Sequence, residues 1–188
     1  SIGTPFIMNL LASPLPWERG VFLLQREVAE RLLAPPGGRD YGPLSIATAL
    51  AGQAVIERIV PPRAFWPVPQ VDSAVVRLEF SSPEFRQAIP WRGIRRIASA
   101  IFTARRKTLR NALKGVFPDG DSREILASLE IKPERRGETL APAVFRRLGE
   151  IWEAGTLAES AGAGQLVEEK GDMGVTPEVE DQGENQGE

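Results

Sequence analysis

FWPVPQVDSAVVRLEF, residues 65–80, is the segment from which the fold class of this 188-residue chain can be worked out. Its first half holds two prolines, which keep the aromatic residues extended because proline restricts itself and the residue before it. Its second half, residues 71–80, is rich in apolar side chains that largely alternate, which is typical of a strand. The positions expected to be buried are Val71, Ala74, Val76, Leu78 and Phe80. The segment therefore predicts an aromatic loop that leads directly into a sheet.

Helical and extended patterns alternate upstream of this strand. A helix is predicted to begin at Thr4-Pro5, with Thr4 as the N-cap and proline in the first helical position. The continuous apolar run at residues 21–24 predicts a buried strand. The remaining predicted elements are a helix at 27–33, a helix at 45–50 and a strand at 53–60. The last two strands are expected to form an antiparallel pair, as in the second half of an α/β sheet domain.

The chain after Ser81-Ser82-Pro83 is predicted to be helical. Apolar residues recur there at i, i+3, i+4, i+7 and i+8, which places them on one helix face. They are Ile94, Ile97, Ala98, Ile101 and Phe102. Further helices are predicted near residues 109–113, 125–129 and 143–152. The expected organisation is an α/β unit at 1–80, a small all-α domain at 84–154 and a disordered acidic tail at 156–188.

Composition excludes several classes of chemistry. The sequence contains no cysteine and no histidine, so disulfides, thiolate or imidazole metal sites and His-dependent nucleophilic catalysis are excluded within it. No apolar run is long enough for a transmembrane helix, and the first residues do not have the pattern of a signal peptide. Neither a metal nor a membrane is expected as a partner.

Charge is distributed unevenly along the chain. Residues 1–155 hold 22 Lys and Arg against 16 Asp and Glu, a net charge of +6. Residues 156–188 hold one Lys against nine acidic residues, a net charge of −8. The cations cluster in the helical part, at Arg95, Arg96, Arg105, Arg106, Lys107, Arg110 and Lys114.

Three of these cations, Arg106, Arg110 and Lys114, are spaced i, i+4 and i+8 and are expected to share one helix face. Like charges stacked in this way repel each other unless a polyanion neutralises them. Arginine also suits bidentate contact with phosphate. The pattern predicts a nucleic-acid contact, and the alternative is a solvated helix face.

Phe65 is the candidate for contact with a nucleobase. A rigid loop that presents an aromatic ring offers a stacking surface for a base taken out of its helix. The alternative is a proline-rich connection whose aromatic residues only cap the sheet.

Three segments carry a resemblance to a known family, the KsgA-type rRNA adenine dimethyltransferases. Residues 65–76 resemble its motif F-x-P-x-P-x-V-D-S-A-V-V, and residues 25–32 are similar to its Q-K-E-V-A-x-R-L segment, with Arg26 in place of Lys. Residues 102–113 resemble the F-x-x-R-R-K-x-L-x-N-x-L signature that opens its C-terminal domain. The resemblance extends over residues 1–152 and leaves out the acidic segment.

The resemblance implies a fold and an activity. The fold would be the C-terminal half of a Rossmann-like methyltransferase sheet followed by the helical domain. The activity would be S-adenosylmethionine-dependent N6-dimethylation of adenines in small-subunit rRNA, by a cytoplasmic monomer that binds the small ribosomal subunit. Phe65 would stack on the flipped adenine, and the seven cations would bind the rRNA.

The same resemblance indicates what the chain does not contain. The family's glycine-rich loop for S-adenosylmethionine and its Asn-Leu-Pro-Tyr motif, which holds the target amino group, have no counterpart here. We therefore expect no catalytic and no cofactor-binding residue in this chain, and no activity of the chain alone. Two alternatives remain open: a non-catalytic RNA-binding or ribosome-assembly protein, and a macrolide-resistance-type methylase of large-subunit rRNA.

Overall fold

A computed structural model describes residues 3–117 and 122–171, with only the backbone described for 159–171. The helices are α1 (Gly3–Ala12), α2 (Arg26–Leu33), α3 (Pro43–Ala51), α4 (Pro83–Gln87), α5 (Trp91–Thr103), α6 (Leu109–Ala112), α7 (Ser122–Ser128) and α8 (Pro142–Gly171). The strands are β1 (Arg19–Gln25), β2 (Gly52–Val60) and β3 (Ser73–Phe80). Short 3₁₀ turns lie at Pro62–Ala64 and Gly137–Thr139.

Strand β3 lies at the centre of a three-stranded sheet and pairs antiparallel with β1 on one side and β2 on the other. Val76 is opposite Phe22 of β1 and Ile56 of β2. Ala74, Val76 and Leu78 are fully buried, because strand side chains alternate and the helices cover this face. The predicted strand is confirmed from Ser73 onwards, with its buried positions 74, 76 and 78, and so is the α/β fold class. The predicted burial of Val71 is wrong, since this residue lies in the loop before the strand and is 48% exposed, and Phe80 at the strand's end is only half-buried.

Strand β1 differs from its prediction. Its apolar run was expected to be wholly buried, but the side chains of Val21 and Leu23 are 63% and 55% exposed. They point to the sheet face opposite the helices, together with the exposed Val55 of β2. The prediction is wrong because a continuous apolar run indicates burial on both faces, whereas the described residues cover only one face of this strand.

The helical part is built around the pair α5 and α8. The predicted apolar face of α5 is confirmed, since Ile94, Ile97, Ala98 and Ile101 are buried and Phe102 is half-buried. Helix α8 contributes Phe145, whose ring stacks on that of Phe102 at 6.0 Å between centroids. The two helices approach closely where Gly93 faces Gly149. The closeness is shown by a Cβ added at Gly93, which would lie only 2.3 Å from the carbonyl oxygen of Gly149.

The sheet layer and the helical part share one buried core, which extends from Ile7 of α1 to Leu148 of α8. The loop between α2 and α3 connects them. The hydroxyl of Tyr41 donates to the carbonyl oxygen of Leu140 at 2.8 Å. The amide of Gly37 donates to the carbonyl oxygen of Glu138, also at 2.8 Å. Burial raises the pKa of Tyr41, so its hydroxyl stays protonated as a donor.

Arg86 of α4 forms a second connection and is completely buried. Its guanidinium donates to the carbonyl oxygens of Ser81 at 3.0 Å and Ser13 at 2.6 Å, and also to those of Leu10 and Leu15. The end of α1, the end of β3 and the start of the helical part therefore meet at one side chain.

Helix α8 continues to Gly171, into the segment for which an acidic disordered tail is predicted. Residues 156–171 include Ala, Leu and Glu, which favour helix. The rest of that prediction, residues 172–188, lies outside the described residues.

We predict that Arg86→Met lowers the free energy of unfolding by on the order of 3–5 kcal/mol. Methionine fills part of the volume but leaves four carbonyl oxygens without the donor that they share in Arg86. Urea unfolding followed by circular dichroism measures the loss. Arg92→Met, at an exposed position on α5, is the matched control and should change stability by less than about 0.5 kcal/mol. Equal effects of the two substitutions would contradict the role of Arg86.

We also predict that Gly93→Ala destabilises the protein by about 1–3 kcal/mol, because the added methyl group must separate α5 from α8. The sign of this change in stability is informative, since alanine in place of glycine normally stabilises a helix by up to about 1 kcal/mol. Thermal unfolding of Gly93→Ala measures this, with Ser99→Ala on the exposed side of α5 as the control. A higher melting temperature for Gly93→Ala would show that the helices do not meet at this point.

Candidate nucleic-acid interface

The loop predicted to present aromatic residues lies at one edge of the sheet. Strands β1 and β2 end at this edge with Gln25 and Val60, and both residues are paired with Ser73, where β3 begins. The loop of residues 61–72 connects β2 to β3 across this edge. A cavity of about 420 Å³ lies there between the loop and the start of α2. It is lined by Gln25, Arg26, Glu27, Glu30, Pro62, Gln70, Val71 and Asp72.

Arg26 connects the start of α2 to the end of this loop. Its side chain forms ion pairs with Glu30 at 2.7 Å and Asp72 at 3.4 Å. Its backbone amide donates to the carbonyl oxygen of Asp72 at 2.9 Å. The hydrogen bond to Glu30, followed by the attraction of that carboxylate, raises the pKa of Arg26. The two ion pairs balance part of the negative charge at this edge and hold the loop against α2.

Phe65 and Trp66 have different environments within the loop. Phe65 is half-buried, and its amide donates to the carbonyl oxygen of Pro62 at 3.1 Å. Trp66 is 94% exposed, and the peptide bond between Trp66 and Pro67 is cis. The structure thus places the predicted stacking residue Phe65 at the base of the loop. Sequence reasoning missed Trp66, although a second aromatic residue beside a proline was a usable signal.

The cations of the helical part follow the chain from α5 to just beyond α6, and we call six of them the cationic belt. These are Arg95, Arg96, Arg106, Lys107, Arg110 and Lys114, all of which are exposed. Arg95 and Arg96 lie on α5, the next two in the turn after it, and Arg110 on α6. Among residues 3–117 and 122–171, none of the six forms an ion pair with an acidic side chain.

The prediction that Arg106, Arg110 and Lys114 share one helix face is wrong. Helix α5 ends at Thr103, and α6 begins only at Leu109 and ends at Ala112. The amides of Leu109 and Arg110 donate to the carbonyl oxygens of Arg135 and Pro133, at 2.7 and 3.1 Å. Because these amides bind a neighbouring loop, the helix cannot continue through residues 104–108. The charges lie on a turn and a short helix.

Arg105 has a different environment from the belt. Its Nε donates to Glu138 at 2.8 Å, and its Nη2 donates to the carbonyl oxygen of Arg39 at 3.2 Å. Its guanidinium also lies 5.7 Å from the centre of the Phe102 ring. Arg105 therefore holds the α2–α3 loop against the helical part, and less of its charge is available to a ligand.

The described residues hold neither a metal-binding cluster nor a membrane-spanning helix. No group of three or more acidic side chains is placed there to hold a metal ion. No helix in the same part of the chain has the length and apolar character needed to cross a membrane.

Known proteins resemble this chain in sequence and in fold. The family model for ribosomal RNA adenine dimethylase matches residues 1–151. Ribosomal RNA small subunit methyltransferase A of Anaeromyxobacter sp. (strain K) is 46% identical over 147 residues, which cover 77% of this chain and 51% of that protein. The protein of the same name from Desulfitobacterium hafniense is 43% identical over 152 residues, covering 79% and 54%.

The crystal structure of a dimethyladenosine transferase from Plasmodium falciparum superimposes with a TM-score of 0.69 at 24% identity, over 78% of this chain and 61% of that one. That likeness shows the fold, a partial Rossmann-like methyltransferase sheet with a helical part. The chain spans about half the length of the curated relatives it matches. The motifs at residues 25–32, 65–76 and 102–113 and the family match over residues 1–151 agree, and the chain belongs to the ribosomal RNA adenine dimethylase family.

Proposed function

We propose that this chain is the substrate-binding part of an S-adenosylmethionine-dependent adenine N6-dimethyltransferase that acts, as a monomer, on rRNA of the small ribosomal subunit. The observation that carries the proposal is the combination of an anchored aromatic loop at the edge of the sheet with six exposed cations that form no ion pair in the described part of the chain. Relatives more than 40% identical are named for methylation of small-subunit rRNA, which supports the same substrate.

The cationic belt would bind the phosphate backbone. Each phosphate that Lys or Arg neutralises releases condensed counterions, so affinity falls as salt rises. Positions on a turn and a short helix suit this task, because contacts to phosphates need charge and reach more than base specificity. Arg105, already bound to Glu138, would mainly keep the turn in place.

Phe65 would supply one stacking face for the target adenine. Its ring is half-buried and its backbone is held by the hydrogen bond to Pro62, so little conformational entropy is lost when a base stacks on it. The neighbouring cavity at Gln25 and Asp72 leaves space beside the loop. Stacking of an extruded base positions its exocyclic amine, and positioning contributes much of the rate in group transfer.

The described residues do not fit the methyl donor itself. The turns that follow β1 and β2 are Gln25-Arg26 and Pro61-Pro62, and neither has the glycine that lets a backbone approach a ligand closely. The chain therefore binds and positions substrate in this proposal, and no step of methyl transfer is assigned to its residues.

A non-catalytic RNA-binding or ribosome-assembly role is the second candidate for the isolated chain. The absence of a glycine turn after β1 or β2 favours it. A methylase of the large subunit is the third, and it differs only in the rRNA that is bound. Binding and methyl-transfer measurements on purified ribosomal subunits distinguish both candidates from the proposed function.

We predict that Arg106→Glu with Arg110→Glu weakens binding to small-subunit rRNA. The slope of log affinity against log salt should flatten by about 0.7–0.9 for each phosphate that the variant no longer neutralises. Filter binding at several salt concentrations measures both effects. Arg19→Glu with Arg58→Glu, on exposed positions of β1 and β2, changes the net charge equally and should leave the slope unchanged. An unchanged slope for the variant at Arg106 and Arg110 would contradict the phosphate contact and indicate that these residues only form a solvated surface.

We predict that the chain transfers no labelled methyl group from S-adenosylmethionine to small ribosomal subunits that lack the modification, although it binds them in a salt-sensitive way. Large subunits in parallel test the choice of rRNA and should bind more weakly. Methyl transfer would contradict the assignment of donor binding to other residues. Equal or tighter binding to large subunits would contradict the proposed substrate.

A further inference from the structure

Trp66 is the most exposed of the large apolar side chains that the structure describes, at 94%. Tryptophan offers a large flat surface, and leaving it in water forgoes a substantial hydrophobic gain. The next most exposed large apolar residue of the same loop, Val68, is 59% exposed. Packing against the described residues does not explain why this aromatic ring, next to the candidate stacking residue, is exposed.

The backbone around Trp66 is anchored on both sides. Before it, the amides of Ala64 and Phe65 donate to the carbonyl oxygens of Pro61 and Pro62, each at 3.1 Å. After it, the loop ends at Asp72, which is bound to the side chain and the amide of Arg26. Prolines at 62, 67 and 69 further restrict the chain. The exposure of the ring therefore comes from a restrained loop, which reduces the entropy lost when a ligand stacks on it.

An exposed cation lies close to Trp66 along the chain. Arg63 is exposed in the 3₁₀ turn three residues before Trp66 and forms no ion pair within the described residues. Asp72 is the one carboxylate in the loop 61–72, and it forms an ion pair with Arg26, which also binds Glu30. An aromatic face next to an exposed cation matches the two parts of a nucleotide, since the base stacks and the phosphate pairs.

We propose that Trp66 stacks on an unpaired nucleobase of the RNA strand, next to the base that Phe65 receives, while Arg63 contacts the adjoining phosphate. This inference rests on the proposed function and adds a second base position to it. Stacking accepts any base, because every base has a π face. Trp66 therefore holds the strand beside the target and does not read its sequence.

The test is the affinity of the full chain for a fluorescein-labelled single-stranded RNA of about 12 nucleotides. Trp66→Ala should bind it roughly 5- to 150-fold more weakly, from about 1–3 kcal/mol of stacking per base. Trp66→Phe should recover most of the affinity, because a flat ring remains. Trp17→Ala, at a tryptophan that is 45% exposed outside the loop, is the matched control and should bind like the unaltered chain.

An RNA of the same length with abasic nucleotides separates stacking from other effects. The unaltered chain and Trp66→Ala should bind this strand equally, since it has phosphates and no bases. An equal loss on both strands would overturn the stacking role. The stacking role would also be overturned if Trp66→Ala bound the normal strand as tightly as the unaltered chain does. If the charge reversal at Arg106 and Arg110 still weakened binding to that strand, the proposed function would stand. If the unaltered chain binds no RNA at all, the proposed function fails and this inference fails with it.

Discussion

The buried guanidinium of Arg86 is the interaction on which the arrangement of this chain depends. It has no exposed surface and forms no ion pair within the described residues; its acceptors are backbone carbonyl oxygens from the end of α1, the loop before β1 and the end of β3. Burial lowers its pKa, because removing a charge from water is costly. Charge-assisted hydrogen bonds to several carbonyls offset that cost, and those at the C-terminal end of α1 also gain from the helix dipole. The Phe80 ring, 5.5 Å away, adds a cation–π contact.

The position of the candidate interface follows from this connection. The carbonyl oxygen of Arg86 accepts a hydrogen bond from the indole of Trp91 at 3.0 Å, which sets the start of α5 relative to the sheet. At the other end of α5, Tyr41 and Arg105 join the α2–α3 loop to the helical part. Helix α5 is thus held at both ends, and the cations after it keep a defined place relative to the sheet. The proposed phosphate contacts and the proposed base-stacking loop are therefore connected by backbone that does not have to be ordered on binding.

The sequence predicted the parts of this fold that depend on local periodicity. The buried alternation of β3 and the apolar face of α5 were recognisable because packing on one face imposes a period of 2 or 3.6. The break at residues 104–108 was not, since it depends on amides that bind residues 133 and 135 from a distant loop. The buried role of Arg86 was also missed, because an arginine near the surface and one inside the core look alike in a sequence. Phe65 was proposed through a motif; the sequence also placed Trp66 beside it, but how far that ring is exposed was known only from the structure.

The arginine side chains of this molecule differ in the acceptors that surround them, and the acceptors decide what each side chain can do. Arg86 donates to backbone carbonyls from all three of its guanidinium nitrogens and is part of the core. Arg105 has one carboxylate and one carbonyl and holds a loop. Arg106 and Arg110 have no ion-pair partner within the described residues, so they alone of these four retain full donor capacity for a phosphate. Counting cations along the sequence therefore overstates the charge available to the proposed RNA contact, because Arg86 and Arg105 are already bound by other parts of the protein.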